Sequence, residues 1–132
     1  MSTDQWIAGH ISSVRVGTVH YHMQPISTWD DIENKVTTFV EQAAKQHIQF
    51  LLFPEYFGIH YFNCLPENWS DQKRFDALIE KHVRYLELFS FLAKQHQIFI
   101  IGGSFPVKND GILQNIATLF SPGGNVYTQE KL

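Results

Sequence analysis

A chain of 132 residues, 44% hydrophobic and with eleven Phe, has apolar surface enough for one core, and it fits one domain or part of a larger one. Its ten Lys and Arg are scattered and its net charge is −3, which argues against nucleic acid as the main ligand, since phosphate binding depends on clustered cations. No apolar stretch is long enough to span a membrane, Met1 to His10 is polar without a signal-peptide core, and Cys64 stands alone, so the expectation is a cytoplasmic protein without an internal disulfide.

Residues 1–13 read as a loose lead-in. Val14 to Met23 is β-branched and alternating, which predicts a strand ended by Pro25. Ser27 and Thr28 can cap a helix whose first turn holds Asp30 and Asp31. Trp29, Ile32, Val36, Phe39, Val40 and Ala43 recur on one face of that helix, which ends near His47. Ile48 to Phe53 is a short apolar run, hence a buried strand. Residues 55–70, aromatic and punctuated by Gly58, Asn63, Pro66 and Asn68, read as a loop.

Ser70 and Asp71 open a second helix running to about Gln97, with Phe75, Leu78, Ile79, Val83, Leu86, Phe89 and Leu92 as its buried stripe. Ile98 to Phe105 is a third strand, Asn109-Asp110-Gly111 a turn, and Asn115 to Ser121 a fourth strand. Pro122 to Asn125 turns the chain into a fifth, Val126 to Lys131. The order β-α-β-α-β plus a hairpin implies an α/β fold with a parallel core sheet and right-handed crossovers.

In such sheets sites form at the carboxyl ends of strands, and Glu55 stands just past the second one. A carboxylate between a buried strand and the aromatic pair Tyr56-Phe57 is expected to be poorly solvated, which suits a proton acceptor. Equally, such a Glu caps the next turn or pairs with a nearby cation. Tyr56 and Phe57, beside it, are expected to bind substrate.

Phe53-Pro54-Glu55 resembles the glutamate motif of the nitrilase superfamily of carbon–nitrogen hydrolases. The resemblance continues through Ile100-Ile101-Gly102-Gly103, Asn115-Ile116-Ala117 and Pro122-Gly123-Gly124, and ends at Lys131. It covers nearly the whole chain from Val14, so residues 1–132 are expected to be a single partial domain, the N-terminal part of an α-β-β-α sandwich. The family's frequent Tyr or Arg in the two positions before the lysine is replaced by Gln129 and Glu130.

The resemblance implies a Glu–Lys–Cys triad acting on an amide or nitrile through a thioester. Glu55 would be the proton carrier and Lys131 the cation that meets the developing anion, with no metal or cofactor. The family's cysteine lies well downstream of its lysine. Cys64 lies before it and reads as a small buried or half-buried thiol. Homo-oligomerisation, or association with the missing C-terminal part, is expected. The alternative is a non-catalytic α/β module that binds a partner.

Other signals carry less. His20 and His22 share one strand face as zinc ligands can, but a third and fourth ligand are not evident nearby. His82 and His96 read as packing or surface residues. Gly102-Gly103-Ser104 lacks a phosphate-loop pattern and suggests close backbone approach. Tyr61 and Phe62 have no interleaved cations and do not suggest base stacking.

Overall fold

In the computed structural model, which describes residues 13–22 and 25–131, one sheet carries helices on one face. Its elements are β1 (Val16–Thr18), α1 (Trp29–Lys45), β2 (Phe50–Leu52), α2 (Ile59–Cys64), α3 (Asp71–Ile79), α4 (His82–His96), β3 (Phe99–Asn109), β4 (Ile112–Phe120) and β5 (Val126–Glu130). The strands lie in the order β1-β2-β3-β4-β5. The first three are parallel, and β4 runs antiparallel to both of its neighbours, β3 and β5. The α/β class expected from the alternation is the observed one.

Local chemistry explains most boundaries. Thr28 accepts from the Asp31 N–H, and the Asp31 carboxylate accepts from the Thr28 and Ser27 N–H groups, a reciprocal cap that starts α1. Trp29, Ile32, Val36, Val40 and Ala43 are its buried face, as their spacing predicted. Asp110 and Gly111, both at positive φ, make the two-residue turn between β3 and β4.

Several boundaries differ from expectation. The strand expected over 14–23 shrinks to Val16–Thr18, because its partner β2 offers only three residues; Met23, like most of the lead-in 1–13, lies outside the described residues. The expected loop 55–70 contains the short helix α2. The second helix divides at Glu80–Lys81 into α3 and α4. The break turns the buried face, so Val83 is 62% exposed while Tyr85 is fully buried.

The sheet's two sides differ. Leu51, Phe53, Ile100 and Phe120 face the helices and are buried with Tyr85, Phe89 and Phe105. On the other side, Thr18, Leu52, Ile101, Leu119 and Tyr127 form one row in register across all five strands. Phe50 and Phe99 stack beside that row with ring centroids 4.6 Å apart. Leu52 and Tyr127 are 39% and 52% exposed there. Among the described residues no helix is long and apolar enough to cross a membrane.

His82, at the start of α4, is half-buried against Tyr85 and Phe105, with centroids 5.8 and 5.4 Å away. Burial holds its imidazole below the ordinary 6.5. The unfolded chain therefore binds a proton that the folded chain resists, and stability falls as pH drops below about 6.5. Chemical denaturation at pH 7.5 and pH 5 should show this loss, and His82→Phe should reduce it. An identical loss in the variant would remove His82 from the pH response.

Candidate active site

The hydrogen-bond ladder of β2 ends where Phe53 donates its N–H to the Ile101 carbonyl at 2.9 Å. Pro54 has no N–H to continue it, and the chain swings into a turn carrying Glu55. Tyr56 sits at φ +54° in that turn. Its N–H donates to Ser104 Oγ at 3.0 Å, and Ser104 is 1% exposed.

The backbone of β3 accommodates this turn by an irregularity between Ile101 and Ser104. Gly103 there has φ +69°, and a Cβ on it would lie 2.1 Å from the Pro54 carbonyl oxygen. A Cβ on Gly102 would lie 2.5 Å from the Tyr85 hydroxyl, which donates to the Gly102 carbonyl at 2.9 Å. Both glycines thus permit the close approach that their pairing suggested, one toward the site and one toward the core.

Lys131 arrives from the opposite edge of the sheet. Its N–H donates to the Asn115 carbonyl at 2.8 Å, extending the β4–β5 ladder by one rung. Its Nζ reaches Glu55 Oε1 at 2.8 Å. The pair stands in a hollow of about 260 Å³ whose lining includes Leu52, Ile101, Gly103, Ser104 and Ala117. The floor is apolar, one cation and one carboxylate stand at its side, and a buried hydroxyl lies close by.

The expected poor solvation of Glu55 is not observed. Its side chain is 50% exposed and that of Lys131 41%, because the hollow opens on the face that no described helix covers. At that exposure an ion pair contributes only about 0–1 kcal/mol. Its value lies in orientation: a proton acceptor and a fixed positive charge face the same small volume.

The other candidate residues lie elsewhere. Tyr56 is 51% exposed, and Phe57, 3% exposed, packs its ring against Tyr21, Phe53, Tyr85 and Phe89. Neither lines the hollow around Glu55. Cys64 is half-buried in α2, where its thiol donates to the His60 carbonyl at 3.1 Å. His20 and His22 are exposed. Ser104 was not expected at the site; its place in the glycine–glycine–serine run was the available signal.

A family model for carbon–nitrogen hydrolases matches residues 15–132. The chain is 33% identical over 119 residues to the probable hydrolase YhcX of Bacillus subtilis, across 90% of this chain and 23% of that protein. It is 27% identical over 122 residues to the omega-amidase NIT2-B of Xenopus laevis, across 92% and 40%. A carbon–nitrogen hydrolase from Helicobacter pylori shares the fold with a TM-score of 0.71 at 24% identity, over 90% of this chain and 39% of that one. The chain thus spans less than half the length of each of these relatives.

Gly103→Ala should destabilise the fold by more than about 1 kcal/mol, because it adds strain at positive φ to a clash with Pro54. It should also displace Glu55. Denaturant unfolding reads the first effect and the Glu55 carboxylate resonance the second. Wild-type values for both would show that the approach of β3 to the turn does not hold the site.

Proposed function

The chain belongs to the carbon–nitrogen hydrolase family, and from that premise we propose that Glu55 and Lys131 are two members of a catalytic triad that hydrolyses an amide or nitrile. The observation that carries this reading is the 2.8 Å contact between Lys131 Nζ and Glu55 Oε1 beside the hollow. The nucleophile is a cysteine outside these 132 residues. Cys64 is bonded into its own helix and does not line the hollow, which supports leaving it out of the role.

For an amide the steps balance with these groups alone. The Glu55 carboxylate takes the thiol proton, and the thiolate attacks the carbonyl carbon. The carbonyl oxygen becomes anionic, and the Lys131 ammonium meets that charge. The carbon–nitrogen bond breaks as protonated Glu55 gives its proton to the leaving nitrogen, leaving a thioester. Glu55 then takes a proton from water, whose oxygen attacks the thioester. The acid leaves and the thiol regains its proton. The reaction calls for no metal or cofactor.

An amide is the preferred substrate class, supported by the omega-amidase relative. Tyr56 is the exposed aromatic closest in sequence to Glu55 and is assigned to the substrate's approach; Phe57 backs it from the core. The bare sheet face with Leu52 and Tyr127 is the surface for the rest of the polypeptide or for a second copy. The working compartment is the cytoplasm.

Two measurements test the proposal. The 132-residue chain alone should turn over neither amides nor nitriles; turnover abolished by Cys64→Ala would make Cys64 the nucleophile after all. In the complete enzyme Glu55→Gln keeps the shape but cannot take the thiol proton, and kcat should fall at least about a hundredfold. Near-normal turnover in that variant would remove Glu55 from the chemistry and favour the non-catalytic module.

A further inference from the structure

Asn115 stands one strand away from Lys131. The pairing of Ile116 with Glu130, and the bond from the Lys131 N–H to the Asn115 carbonyl, put these two residues directly opposite each other. Opposed residues in an antiparallel pair share a face, with Cβ atoms about 4.5–5.5 Å apart. That face is the one on which the hollow opens. Ala117, two residues along β4, lines the hollow, and so does its cross-strand partner Ser104.

The Asn115 side-chain oxygen, Oδ1, is one of four covered polar side-chain atoms without a partner among the described residues, with Trp29 Nε1, Arg74 Nε and Thr118 Oγ1, and of the four it alone lies opposite Lys131. A covered acceptor without a donor costs about 1–3 kcal/mol, so a native chain keeps one only for a reason. The residue facing it carries three ammonium protons; one meets Glu55 at 2.8 Å, and none is bonded to Asn115 Oδ1 while that pair is made.

The proposed reaction creates a need for a second acceptor. While Glu55 is charged, it aims the Lys131 ammonium. Once Glu55 has taken a proton it is neutral and holds the ammonium weakly, at the moment when the cation must meet an oxyanion. A carboxylate as second acceptor would draw the ammonium away from that oxyanion. A neutral carbonyl steadies the cation with much less competition.

We propose that Asn115 is a positioning residue for Lys131: its Oδ1 accepts from the ammonium and keeps it aimed into the hollow when Glu55 is protonated. This inference rests on the assignment of Glu55 and Lys131 to catalysis and adds a residue that neither touches substrate nor transfers a proton.

The test uses the complete enzyme with a simple aliphatic amide. Asn115→Leu, similar in size but without the acceptor, should lower kcat at least about tenfold with KM changed less than about threefold. Asn115→Asp puts a competing carboxylate at the same place and should keep the ammonium held while leaving kcat low; full recovery of kcat in that variant would count against the need for a neutral acceptor. The Lys131 ammonium protons, followed by nitrogen-15 NMR, should exchange with water faster in Asn115→Leu than in the wild type. If Asn115→Leu does not fold, Asn115→Ala replaces it with the same expectations. Unchanged kcat and unchanged ammonium exchange in the folded variant would overturn the inference. If Glu55→Gln is inactive while Asn115→Leu behaves as wild type, only the role of Asn115 fails; if Glu55→Gln is active, the triad itself fails.

Discussion

Everything that shapes the site passes through one point, where β3 comes so near the turn after β2 that no side chain fits between them. Gly103 at φ +69° lets the Pro54 carbonyl in, and Ser104 takes the Tyr56 N–H at 3.0 Å. Those two contacts decide where Glu55 leaves the sheet. The same few residues of β3 also touch the core, through the Tyr85 hydroxyl on the Gly102 carbonyl. One short irregular stretch thereby ties the aromatic interior to the carboxylate. The turn needs no stabilising ion pair of its own, and the Glu55–Lys131 contact is free to serve orientation.

That freedom has an electrostatic side. Half-exposed charges 2.8 Å apart are screened, and their attraction is modest. The same two charges interact several times more strongly once water is excluded and the effective dielectric falls. The hollow is open on the face lined by Leu52 and Ile101, both of them apolar. Covering that face would turn a weak surface pair into a strong local field.

Much of this architecture was legible in the residues. The cap at Thr28 and the stripe of α1 follow rules that act over a few residues and are where the pattern put them, while β2 keeps only Phe50–Leu52 of the expected 48–53 and the turn only Asp110-Gly111, with Asn109 ending β3. What was not legible depends on contacts between distant segments. The break between α3 and α4 has no Gly or Pro to announce it, and the burial of Tyr85 in place of Val83 is set by packing against β3 and β4. Phe57 follows Glu55 closely, yet the positive φ at Tyr56 directs it into the core. Ser104 meets Tyr56 across 48 residues, a separation that no local pattern spans. Glu55 drew notice from its own position at a strand end, whereas Lys131 could be singled out only through family resemblance.

The placement of Lys131 just past β5 also separates two chain closures of very different length. The β4–β5 hairpin closes over a short loop and can form early, because its contacts are local in sequence. Glu55 reaches its place only when β2 and β3 have paired across the long excursion through α2, α3 and α4. Closing that excursion costs more chain entropy than closing the hairpin. The carboxylate and the ammonium are therefore placed by two chain closures of unequal cost, one local and one spanning α2, α3 and α4. The charge pair thus marks the finished sheet, since it needs both pairings at once.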